Sequence, residues 1–370
     1  MRKRLLSLLL VLACVLTLAV VPVVAAEPDP VQPTASVTEP TPTTDPEPSP
    51  EPSSEPSPEP TPEPSPEPSP VPTPSGPWYQ AALDFACDHR ILLGDPSGNM
   101  MPNDNATRAQ MAAMLVRVFG CTAGKDIAHL TDVSTTSWYY SELSTAAQMN
   151  IFNGYGDGTM GPNRSITRQE AMIVIARAFA VPDGTAADIQ AFRDASSVGS
   201  WAVAKVGGLV KAGIVNGDNG SLHPTASITR AEIAQMLYNL GLQFCSDAAA
   251  LPASGRVIYT GAAPLTADAF TGTLYLGGPA GRDLGGMNIT GTLVVRTDPN
   301  GTVTVGGTVD TLAVAAEDTT VAGAGRAALV RLLARGCTVT LAADKTASEY
   351  DPMLRGVGKV VTDPVPALSP

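Results

Sequence analysis

Three arginines carry the clearest chemical signal in the chain. Arg108, Arg168 and Arg230 recur at intervals of 60 and 62 residues, each directly after a threonine and two residues before Gln110, Glu170 or Glu232. The pairs Thr107 and Gln110, Thr167 and Glu170, and Thr229 and Glu232 read as capping boxes, in which each side chain satisfies the other's orphan backbone donor at a helix start. That accounts for threonine and glutamate but not for arginine. A cation at the first helical position opposes the macrodipole at a cost of about 0.3–1 kcal/mol. An anion sharing the site would remove the conflict, because the exposed N–H groups and the guanidinium would converge on one carboxylate or phosphate. An anion is therefore the expected partner, and a salt bridge within the protein is the alternative.

The elements that must position these arginines repeat with them. Trp78, Trp138 and Trp201 recur at intervals of 60 and 63 residues, and Pro102, Pro162 and Pro224 each stand six residues before an arginine. Ile91, Ile151 and Ile214 are each followed three residues later by Gly94, Gly154 or Gly217. Such self-similarity marks a repeat architecture. Counted from the arginine, offsets +3, +4, +6, +7 and +10 are apolar in every copy, as in Ile233, Ala234, Met236, Leu237 and Leu240. That is one face of an α-helix. A first helix begins near each Trp, and turn sequences such as Gly154-Tyr155-Gly156-Asp157-Gly158 join the two. Each unit thus reads as helix, loop, helix. The loops lack the alternating oxygen ligands of a calcium site.

These residues resemble the S-layer homology family. Repeat three matches its motif with Phe192-Arg193-Asp194, Trp201, Gly213-Ile214, Gly217 and Ile228-Thr229-Arg230-Ala231-Glu232. Repeat two does so with Asp132, Trp138, Asn150-Ile151, Gly154 and Ile166-Thr167-Arg168-Gln169-Glu170. The resemblance implies a pseudo-threefold bundle of repeats with grooves between neighbours. It implies that these grooves bind a pyruvylated secondary cell-wall polysaccharide, or another anionic glycan linked to peptidoglycan. The glycan-binding set carried over is Arg108, Arg168 and Arg230, with Trp78, Trp138, Trp201, Asp132, Asp194, Gly94, Gly154 and Gly217. The pyruvyl ketal supplies the carboxylate that the arginines call for. A tryptophan offers a flat face to a sugar ring, although at a helix start it equally suits core packing. Repeat one departs from the motif: Gly76-Pro77 leaves no opening Asp, Arg90 stands where a left-handed cap is expected, and Gln110 replaces the glutamate. The groove of Arg108 is therefore expected to be the weakest.

The rest of the chain sorts by composition. Residues 1–26 read as a signal peptide: Arg2, Lys3 and Arg4 precede an apolar run from Leu5 to Val21 and a Val24-Ala25-Ala26 cleavage site. That run is short for a stable transmembrane anchor. Of the 49 residues 27–75, nineteen are proline and ten acidic, with no Lys or Arg. Such a segment cannot offset its ordering entropy and is expected to be a disordered, semi-stiff stalk. It also explains much of the net charge of −12: without its ten acids and the three bases of the leader, 20 basic residues face 25 acidic ones. That balance, with no basic run, argues against nucleic acid as a partner.

The expected organisation is multidomain: leader 1–26, stalk 27–75, all-α repeats at 76–122, 129–182 and 189–242, and an all-β module at 255–365. The last is read from short alternations such as Thr292-Leu293-Val294-Val295 and Thr302-Val303-Thr304-Val305, which suit a small β-helix or a sandwich. Cys87, Cys121, Cys245 and Cys337 have no metal-ligand spacing, so no metal or cofactor is expected, and Cys87 with Cys121 fits either a disulfide or two buried thiols. The function expected is non-covalent anchoring of an exported protein to the wall, in a structural or adhesive role. The alternative is a surface enzyme acting on polysaccharide through the β module. Asp268, Asp283, Asp298, Asp310 and Asp318 are scattered there without a histidine, which disfavours catalysis. The sequence names no partner for this module.

Overall fold

The computed structural model describes residues 76–348 and 359–360. The proposed leader and stalk lie outside the described residues. Helices occupy the first part: α1 Gln80–Asp88, α2 Arg108–Phe119, α3 Tyr140–Gln148, α4 Arg168–Ala178, the single turn α5 Ala186–Ile189, α6 Val203–Lys211 and α7 Arg230–Asn239. The second helix of each repeat (α2, α4, α7) starts at Thr107, Thr167 or Thr229, and in each the threonine side chain accepts the N3 backbone N–H while Gln110, Glu170 or Glu232 caps in return. Their apolar stripes meet in one core, where Met111, Leu115, Met172, Ile175, Ile233 and Leu237 are fully buried.

The repeats join in a cycle. Arg108 and Ala109 donate their backbone N–H to Arg164 and Pro162; Arg168 and Gln169 donate to Ala226 and Pro224; Arg230 and Ala231 donate to Asp104 and Pro102. Short bridges pair Thr107 with Ser165, Thr167 with Ser227 and Asn105 with Thr229. Each repeat therefore caps the helix of the one before it, and the last closes on the first. The repeated proline has a physical role here: its carbonyl takes the second orphan N–H of the neighbouring helix.

Arg90, Asn150 and Gly213 occupy one position in the three repeats, and all are left-handed, with φ of 54°, 61° and 69°. An L side chain resists that conformation. Replacing Arg90 with glycine should therefore stabilise the protein by about 0.5–1 kcal/mol after the added unfolded-state entropy is subtracted. A rise of about 2 °C in melting temperature is expected; an unchanged or lower value would show that the Arg90 side chain compensates its strain.

A β-solenoid follows. One sheet runs β1 Leu242–Cys245, β2 Ser254–Tyr259, β3 Ala269–Leu276, β5 Asn288–Val295, β7 Thr308–Val314, β9 Arg326–Leu332 and β11 Ala342–Ser348; the other contains β4 Arg282–Asp283, β6 Thr302–Thr304, β8 Thr320–Ala322, β10 Thr338–Val339 and β12 Lys359–Val360. All ladder pairings between these strands are parallel. Of the two architectures left open by the sequence, this is the β-helix type, since a sandwich is built of antiparallel strands. Like residues stack from rung to rung: Thr273, Thr292 and Thr311 align, as do Leu274, Leu293 and Leu312. Gly272 and Gly291 stack with φ of 122° and 124°, where a Cβ would strike the carbonyl of the preceding rung.

Both faces of the larger sheet are covered, as parallel sheets require. Leu274, Leu293 and Leu312 fill the solenoid, while Tyr275, Val294 and Ala313 pack with the helical core. Tyr275 meets Phe119 and Phe179 at ring-centroid distances of 6.3 and 5.6 Å, and burial pushes its hydroxyl up to about 12. Arg296 is 3% exposed and donates to the Met149 and Arg177 carbonyls at 2.7 and 2.6 Å. Those carbonyls end α3 and α4, so a cation there complements both helix C-termini. Burial pulls the Arg296 guanidinium down to about 10, which leaves it charged at neutral pH. Arg331 donates to the Ala180 carbonyl, and Lys125 pairs with Glu317 at 3.1 Å. Cys87 and Cys121 are free thiols, so no disulfide joins them, and burial pushes the Cys121 thiol up to about 12.

Candidate binding grooves

Each of the three repeated arginines reaches out of its own repeat into the loop of the next. Arg108 donates Nε to the Met160 carbonyl at 2.8 Å and an Nη to Asn153 at 2.9 Å. Arg168 donates Nε to Leu222 at 2.9 Å and pairs with Glu232 at 2.5 Å. Arg230 donates to Met100 and Leu93 at 2.8 and 2.7 Å. The three are only 5–7% exposed. Burial lowers the Arg108 and Arg230 guanidinium pKa, with nearby negative groups opposing the shift. Loop carbonyls, together with the neighbouring repeat's carbonyls on the first two helical N–H groups, supply the negative end that the sequence argument sought in an external anion. The expectation that these N–H groups stand exposed is thereby corrected.

Two grooves open over these arginines. The first, about 300 Å³, has Arg108 from repeat one on its floor, Gly154, Tyr155, Glu170 and Arg177 from repeat two on its walls, and Trp201 from repeat three at its side. The second, about 630 Å³, is built one step round the cycle from Arg168, the Gly217 loop of repeat three and Trp78 of repeat one. The same order would assign Arg230, the Gly94 loop and Trp138 to a third. The departures of repeat one therefore bear on the Arg230 position, because Arg230 donates to the Leu93 and Met100 carbonyls on either side of Gly94. Arg108 instead sits over the intact loop of repeat two, and the expected weakness of its groove has no basis in this geometry.

The tryptophans are not core residues: Trp78, Trp138 and Trp201 are 65, 59 and 57% exposed. Gly154 and Gly217 are demanded by close approach, since a Cβ on either would lie 2.6 Å from a carbonyl oxygen across the loop, while at Gly94 it would meet the Gly98 carbonyl carbon at 2.9 Å. Asp132 and Asp194 do not line either groove. Asp132 accepts the N–H groups of Met160 and Gly161, and Asp194 those of Leu222 and His223, all at 2.7–2.8 Å. They hold the loops whose carbonyls hold Arg108 and Arg168. Burial raises the Asp194 carboxyl pKa, but the two N–H donors outweigh it and hold the group below its ordinary value.

Tyr155 was legible only as a turn residue. Its ring lies 4.4 Å from the Arg108 guanidinium and 4.5 Å from that of Arg164, and its hydroxyl donates to Glu170 at 3.4 Å. Its position directly after the groove glycine, matched by Asp95 and Asp218 in the other repeats, was the available signal. Among the described residues no group of three or more His, Cys, Asp or Glu is placed to hold a metal ion, and no helix is long and apolar enough to cross a membrane.

Residues 73–112, 129–172 and 191–234 match the S-layer homology domain. The chain therefore carries three S-layer homology repeats. It is similar to the surface-layer 125 kDa protein of Lysinibacillus sphaericus, with 31% identity over 41% of this chain and 13% of that one. It also resembles a cellulosome-anchoring protein of Acetivibrio thermocellus, with 31% identity over 40% of this chain and 34% of that one. An amylopullulanase of Thermoanaerobacterium thermosulfurigenes is 29% identical over 44% of this chain and 9% of its own length. The match thus spans about a third or less of these relatives.

Proposed function

We propose that the repeats anchor the chain non-covalently by binding an anionic secondary cell-wall polysaccharide, with a pyruvyl ketal or similar carboxylate as the charged group. One observation carries the reading: exposed Trp201 flanks a groove floored by Arg108, which places a flat apolar face beside a cationic floor. A sugar ring stacks on the first and its acid faces the second. The arginine contributes mainly by shaping the floor and setting its potential. The wider organisation proposed is a leader, an acidic stalk at 27–75, repeats at 76–122, 129–182 and 189–242, and a β module at 255–365. We assign that module a structural or adhesive role. Three of its carboxylates are taken up by backbone N–H groups: Asp310 accepts from Gly291 and Asp283 from Gly285 within the module, and Asp298 accepts from Thr122 and Ala123 of the helical part.

The test is co-sedimentation of the full chain with purified wall. Binding is expected before, and not after, the polysaccharide is stripped, and guanidinium should release the bound protein. Deleting residues 27–75 should leave binding intact, because ten acids and no base suit no polyanion. Retention on stripped wall, or loss of binding on deleting the stalk from folded protein, would place the anchor elsewhere.

A further inference from the structure

The residue after each repeated arginine is Ala109 in repeat one and Ala231 in repeat three, but Gln169 in repeat two. A buried amide needs a partner. Gln169 is 8% exposed, and its side-chain oxygen accepts the backbone N–H of Gly199 in repeat three at 2.9 Å. Alanine has no acceptor to offer, so neither other seam of the cycle can carry this tie. Gly199 in turn supports Trp201. The indole lies so close over it that a Cβ there would come within 2.5 Å of the indole nitrogen. The other two tryptophans are braced differently. Trp78 and Trp138 each meet the ring of the next residue edge-on, Tyr79 at 5.3 Å and Tyr139 at 5.7 Å between centroids. Trp201 is followed by Ala202, which has no ring.

We infer that Gln169 is a positioning residue for the Arg108 groove, holding the Gly199 segment so that the Trp201 indole stands where a sugar ring stacks. This rests on the proposed reading of that groove as a glycan site. Gln169 itself does not line the groove, whereas its neighbour Glu170 and Trp201 do. The first turn of α4 thus serves the groove twice, with Glu170 on its wall and Gln169 behind its stacking face. An exposed indole free to sample several rotamers must be ordered when a ligand arrives, and that cost weakens binding. Holding its backbone in advance removes part of the cost. Tyr79 and Tyr139 give the other two tryptophans a comparable brace from within their own repeats, and Gln169 supplies it across a seam.

The experiment uses the full chain carrying Trp78→Phe and Trp138→Phe, which leaves Trp201 as its sole tryptophan. Two quantities are measured: the anisotropy of Trp201 emission, and the calorimetric affinity for a wall-polysaccharide fragment bearing its pyruvyl ketal. Gln169→Ala installs the residue that the other two repeats carry, so the fold tolerates it. It should lower the anisotropy and weaken the fragment by about three- to tenfold. Gln169→Met, which keeps most of the volume without the acceptor, should do the same. Gly199→Ala should give a comparable loss of affinity, because its Cβ displaces the indole. Trp201→Ala sets the full effect, at least about tenfold. Unchanged anisotropy or unchanged affinity in Gln169→Ala would overturn the assignment, as would a Gln169→Met chain that retains both. Failure of the reference chain to bind the fragment, or equal binding by Trp201→Ala, would instead remove the glycan reading beneath it, while the anisotropy still tests the hold of Gln169 on the indole.

Discussion

Replacing Arg296 with leucine is expected to lower the melting temperature by about 5–10 °C. The substitution leaves the carbonyls that end α3 and α4 buried and unbonded, at about 1–3 kcal/mol each. Leucine spares the cost of burying a guanidinium, whose Nε has no hydrogen-bond partner among the described residues, so part of the loss is offset. A net loss of about 2–3 kcal/mol remains, and for a protein of this size each kcal/mol is worth about 2–4 °C. Arg326 supplies the control: its side chain is 55% exposed and paired with Asp344, and Arg326→Leu should change the melting temperature by about 1 °C or less. Equal melting of both variants would show that the helical and β parts do not depend on Arg296 for their contact.

The second large effect is expected at the ring arginines. Arg108→Ala and Arg230→Ala should each cost about 2–4 kcal/mol in denaturant unfolding. Each removes two donors from loop carbonyls in a neighbouring repeat, at about 1–3 kcal/mol per orphaned acceptor. Lysine in place of either should recover less than half, since an ammonium has the charge but not the planar fork that spans two carbonyls. Glycan affinity should fall as well, because the groove floor is lost. An unchanged unfolding midpoint with reduced affinity would restore the simpler picture of an arginine waiting for an external anion.

Much of the helical part was readable because its signals are local. The capping threonines, the apolar stripe from Arg230 to Leu240 and the glycine turns depend on neighbours within a few residues. The partners of the arginines were not readable, since Arg108 meets Asn153 and Met160 some fifty residues on, and only the closed cycle brings them together. The same cause misplaced the degeneracy of repeat one, whose altered loop serves Arg230 rather than Arg108. In the β part, alternation gave strands but not their pairing. Leu274-Tyr275-Leu276 suits either sheet architecture until Tyr275 is seen against Phe119 and Phe179.

The closed cycle and the open stack also tolerate insertion differently. A repeat array that runs in a line has end units that need special capping, and it can gain or lose a copy with modest cost. Here Arg230 returns to Leu93 and Met100, so the helical ring has no end unit, and a fourth copy would have to break two seams to enter. The solenoid carries the opposite property. Its rungs pair only with the next above and below, so a rung added beyond those that pack on the helical core through Tyr275, Val294, Ala313 and Arg331 would lengthen it without disturbing the ring. Growth in this architecture is therefore confined to the stack, while the number of grooves stays fixed.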